Sequence, residues 1–75
     1  MHNSYEIRFV AYAKRRIQNI CMYRAHGETF ADAIQDFLTW ANSDQKKLDS
    51  NGRPFTFDTA PVTEKIILSI ANVSY

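Results

Sequence analysis

Four sets of residues in this chain are of types that do chemistry: His2 and His26, the single cysteine Cys21, the acids Glu28, Asp32 and Asp36, and the basic triplet Lys14-Arg15-Arg16. Catalysis needs a nucleophile, acid or base beside an orienting partner. His26 stands in Arg24-Ala25-His26-Gly27-Glu28 and reads as a solvated loop histidine. Cys21 falls in the middle of an apolar alternation, where a free cysteine packs as a small core residue. One cysteine and two distant histidines give no zinc-ligand spacing. No Asp-x-Asp-x-Asp-Gly calcium loop occurs. Gly27 and Gly52 are isolated, so no phosphate-cradling loop is present. The expectation is a protein without catalytic residues, metal or cofactor.

The charged sets have other uses. Glu28, Asp32 and Asp36 follow one another by one helical turn and could imitate phosphates, although acids near a helix start also complement its dipole. Lys14-Arg15-Arg16 is the densest basic cluster, with Arg8, Arg24 and Tyr12 close by in the pattern. Such a cluster can grip nucleic-acid phosphates, and it can also protect a hairpin from edge pairing.

The elements that position these residues follow from periodicity. Residues 4–13 alternate, with Tyr5, Ile7, Phe9 and Ala11 on one face and Glu6, Arg8, Val10 and Tyr12 on the other. Residues 17–25 alternate again, so the two segments read as a β-hairpin with the basic triplet at its tip. Thr29 is an N-cap with Asp32 three residues on. Phe30, Ala33, Ile34, Phe37, Leu38 and Ala41 then form a helical stripe, and Leu48 returns in phase, predicting a helix to about residue 49. Asn51-Gly52 and Pro54 supply its stop. Phe55 and Phe57 suggest a short extra strand, Asp58-Thr59-Ala60-Pro61 a turn, and residues 62–75 a last strand. The expected architecture is α+β: a small, mostly antiparallel β-β-α-β sheet with one long amphipathic helix on one face.

That arrangement leaves a surplus. Ile7, Phe9, Cys21, Tyr23, Ile66, Leu68 and Ile70 are expected against the helix. Val10, Tyr12, Ile20, Met22, Ile67 and Val73 are then left on the other face, where an antiparallel sheet open to water should be polar. Either Phe55 and residues 50–61 fold over that face, or it is an interface for a second copy or another protein. The binding residues expected on this reading are Tyr12, Ile20, Met22 and Ile67 as anchors, with Arg15 and Arg16 at the rim.

The size suits one domain over residues 1–75. Nine Lys/Arg against eight Asp/Glu give a net charge of +1, too balanced for a global field that would gather nucleic acid or an anionic membrane. A lone cysteine argues for a reducing compartment. The first residues show no signal-peptide pattern and no apolar run approaches a membrane span, so a cytoplasmic location is expected.

The stretch Tyr23-Arg24-Ala25-His26-Gly27-Glu28-Thr29-Phe30-Ala31-Asp32-Ala33-Ile34 resembles, in layout, small phage-encoded proteins that bind and disable host machinery, including some anti-CRISPR proteins and inhibitors of bacterial RNA polymerase. The resemblance implies one helix on a small sheet and a non-enzymatic inhibitor that contacts a host complex directly in the host cytoplasm. The same stretch resembles the strand-to-helix junction of HicB-type antitoxins, but their Pro-Gly-Cys motif is missing here.

Overall fold

The computed structural model describes residues 3–74; His2 and Tyr75 lie outside them. The chain runs β1 (Asn3–Tyr12), β2 (Gln18–Gly27), α1 (Phe30–Ala41) and β3 (Ile67–Asn72), with short 3₁₀ turns at Lys14–Arg16 and Glu64–Ile66. The sheet has the order β2-β1-β3, and both pairings are antiparallel. The small α+β fold expected from the pattern is therefore present. β1 is central because it alone has neighbours on both sides, and its odd-numbered residues form the core: Tyr5, Ile7, Phe9 and Ala11 are all buried.

α1 packs on that face through Ala33, Phe37 and Ala41. Thr29 caps it as expected, accepting a hydrogen bond from the Asp32 N–H at 3.2 Å, while Asp32 accepts one from the Glu28 N–H at 3.3 Å. Gly27 allows the helix to begin against the strand end. A Cβ there would lie 2.5 Å from Asp32 Cβ and 3.0 Å from the Ala33 nitrogen.

The structure corrects the expected pattern at four places. α1 ends at Ala41, not near residue 49. Asn42 caps it, with its amide donating to the Leu38 and Val62 carbonyls and its Oδ1 accepting from the Val62 N–H. Ser43 and Asp44 follow, both of which compete with the helical backbone through their side chains. Residues 55–57 make no strand; Thr56 forms only an isolated bridge to Tyr12. Phe55 does not cover the outer sheet face. It lies on the helix side, its ring 5.9 Å from Phe9 and 6.2 Å from Trp40. Last, β3 is shorter than residues 62–75, and its register slips. Arg8 faces Ser69 while Phe9 faces Ile67, so Leu68 is the extra residue of a bulge. Ile67 thus packs on the core instead of the outer face, and Leu68 is exposed instead of packing on the core.

Candidate functional site

The face of the sheet away from α1 carries Glu6, Arg8, Val10 and Tyr12 from the central strand. Cross-strand pairing sets Ile20 beside Val10, Met22 beside Arg8 and Arg24 beside Glu6. Ile20 is 67% exposed and Met22 51%. Two large apolar side chains exposed side by side on one sheet face, with Val10 next to them, form the kind of patch that marks an interface. Charge frames it: Arg24 donates to Glu6 at 3.0 Å, and Arg8 is exposed with no ion pair among the described residues.

Of the six residues expected to bind a partner, Tyr12, Ile20 and Met22 do share this face. Ile67 does not, for the register reason given above. Arg15 and Arg16 are exposed at the hairpin tip. Arg16 is also engaged within the molecule, in an ion pair with Asp58 and with its guanidinium 5.6 Å from the centre of the Tyr12 ring.

The edge of β2 adds a second feature. The Val73 N–H donates to the Ser4 carbonyl at 2.8 Å, and Tyr12 exchanges two backbone bonds with Thr56. Even-numbered residues of β1 therefore turn their backbone groups toward β3 and odd-numbered ones toward β2. By the pairing register, Asn19, Cys21, Tyr23 and Ala25 bond to β1, and the intervening residues of β2 point outward. The His26 N–H fits this alternation. It points outward and donates to Asp36 Oδ2 at 2.9 Å. Among the described residues nothing pairs with the outward N–H and C=O groups of Ile20, Met22 and Arg24.

A groove of about 670 Å³ runs along this edge. Ile20, Met22 and Arg24 line it from the outer face. Tyr23, Trp40 and Phe55 line it from the helix side, and Leu48, Asp49 and Ser50 continue that wall beside Cys21. Trp40 stacks on Tyr23 with ring centres 4.5 Å apart. Burial raises the Tyr23 phenol above its ordinary pKa, helped by the Asp36 carboxylate, to which the phenol donates at 3.4 Å. Burial likewise raises the Cys21 thiol, with the Asp49 charge adding to it. A thiol kept protonated in this way is a poor nucleophile.

His26 is exposed at the far end of β2, its Nδ1 3.4 Å from Ser4 Oγ. Together with Glu28, Asp32 and Asp36 it borders a shallow hollow. Asp32 and Asp36 act structurally there, at the cap and at the strand end. Arg8, Leu48 and Asp49 also line this groove. The pattern set Arg8 beside the basic cluster and Leu48 in the helical stripe, and neither signal marks a groove, which exists only because β2 is an edge strand.

The chain matches no protein-family model, no curated protein and no solved structure. Among the described residues no helix is long and apolar enough to cross a membrane.

Proposed function

We propose that this protein is a non-enzymatic binding module that docks another protein on the outer face of its sheet. The observation that carries this reading is the pair Ile20 and Met22, exposed side by side on a face that α1 and the aromatic core leave open. Burying such side chains supplies roughly 1.5–3 kcal/mol each, and Arg8, Arg24 and Tyr12 at the margin supply the residue types that dominate interface energetics. The layout resemblance to phage-encoded inhibitors supports a host complex as the partner, blocked by direct contact. A nucleic-acid reading has less support, since Arg16 at the basic tip is occupied by Asp58.

The test is affinity capture from bacterial lysate with the wild type and with the Ile20→Asp/Met22→Asp double variant, compared by mass spectrometry. Both positions are exposed, so the variant should fold. A protein retained by the wild type and lost by the variant supports the reading. Identical captured sets remove it.

A further inference from the structure

The groove beside β2 is a different feature from the flat apolar face, although the two share Ile20 and Met22. This inference deepens the protein-binding reading and rests on it. We propose that the groove takes an extended peptide segment of a partner as a fourth strand, with acidic side chains on the outer side and apolar ones on the helix side.

Three observations define the occupant. The first is backbone chemistry. The N–H and C=O groups of Ile20, Met22 and Arg24 point into the groove unpaired, and an edge of this kind is completed most directly by another extended strand. A helix or a compact ligand would leave most of these groups unmet. The second is the wall on the helix side. Tyr23, Trp40, Phe55 and Leu48 line it, and Leu48 is itself 51% exposed. Alternate residues of an added strand would lie against these groups and should be apolar or aromatic. The third is charge. Arg8 and Arg24 both line the groove from the outer face, Arg8 without an ion pair among the described residues. The remaining alternate residues of the guest meet these two cations beside Ile20 and Met22, which selects Glu or Asp. Asp49 stands beside Leu48 on the helix-side wall, with its carboxylate accepting from the Asn51 and Arg53 N–H groups at 2.9 Å each. It disfavours acidic residues on that side and so fixes which set of guest side chains faces which way.

The experiment titrates ¹⁵N-labelled protein with a synthetic octapeptide of alternating Glu and Leu. The expected result is saturable shifts centred on the amides of Ile20, Met22 and Arg24 and on the indole N–H of Trp40, the chain's one tryptophan. An analogue N-methylated at alternate backbone positions, and a Lys/Leu analogue, should each bind about tenfold more weakly. Met22→Pro removes an N–H that points outward and spares the β1 ladder, so the sheet should persist and peptide binding should fall by a similar factor. Shifts that do not saturate, equal binding of the Glu and Lys peptides, or indifference to N-methylation would overturn the proposal. So would a dimer of the free protein, seen by light scattering and abolished by Met22→Pro, because the edge would then belong to a second copy. Should the peptide fail while Ile20→Asp/Met22→Asp still abolishes capture of a partner, the groove is dismissed and the sheet face stands. If the peptide binds while capture is indifferent to the double variant, the face is dismissed instead.

Discussion

Gly27 illustrates how one residue holds two elements in place. Its missing Cβ lets the first turn of α1 lie against the end of β2, and the atoms that a Cβ would meet are the Cβ of Asp32 and the backbone of Ala33. Neither can swing aside without moving the helix start. Gly27→Ala should therefore destabilise the fold by about 1–3 kcal/mol, as overpacking does, measured as a lower urea midpoint at unchanged slope. Cys21 offers a test of a different kind. Its thiol is held above its ordinary pKa by burial first and Asp49 second. The native state then keeps the proton at pH values where the unfolded chain has lost it. The associated stability is complete below the unfolded thiol pKa and is lost as pH rises toward the folded one. Cys21→Ser should flatten that decline up to the pH range where Tyr23, also raised, begins to titrate. Urea melts of both proteins across this range would measure it. Asp49→Asn, which keeps the Oδ1 acceptor for Asn51 and Arg53, should recover part of the flattening.

At the scale of elements, the hairpin and the helix start were legible, and the joins were not. The alternation of Tyr5, Ile7, Phe9 and Ala11 marks the buried face of β1 because a strand's side chains must alternate, and Thr29 with Asp32 marks the cap because few residue types satisfy free N–H groups. The helix end was misread because Leu48 returns in phase, whereas Asn42 ends the helix through bonds to Leu38 and to the distant Val62. A cap that depends on a residue twenty positions away leaves no local mark. Ile67 packs on the core and Leu68 is left unpaired because a bulge adds one residue, and a slip of one moves a side chain across the sheet. At the tip, tight hairpin turns favour Asn or Gly where φ is positive, yet Arg15 and Arg16 hold φ of 61° and 57°. The left-handed conformation costs a non-glycine residue on the order of 1 kcal/mol. Arg15→Gly should raise stability by up to about that amount. The same change at Arg16 should gain less, since it also removes the Asp58 ion pair and the contact over Tyr12. Thermal melts of the two variants compare these terms directly.

For the molecule as a whole, the strand order β2-β1-β3 decides what is stable and what is available. β1 is bonded on both sides and contributes four buried residues to a core in which Phe9 meets Phe37 at 4.9 Å and Trp40, Phe55 and Phe57 at 5.8–5.9 Å. Breaking β1 away dissolves both pairings and this aromatic cluster together, so its amides should exchange only through global unfolding. β2 is half in and half out. Its amides at Asn19, Cys21, Tyr23 and Ala25 bond to β1, while those of Ile20, Met22 and Arg24 face the groove. Hydrogen exchange along β2 should therefore alternate residue by residue, slow at the odd positions and fast at the even ones. His26 is the exception on the even side, because Asp36 holds its N–H at 2.9 Å. Asp36→Ala should release that one amide and cost about 1–3 kcal/mol, the worth of a charged acceptor that joins α1 to β2. Uniform protection along β2 in the free protein would mean that its edge is already paired with a second copy. The alternating pattern would leave the even-numbered amides available, and a bound peptide strand should then slow Ile20, Met22 and Arg24 while leaving the odd-numbered amides as they were.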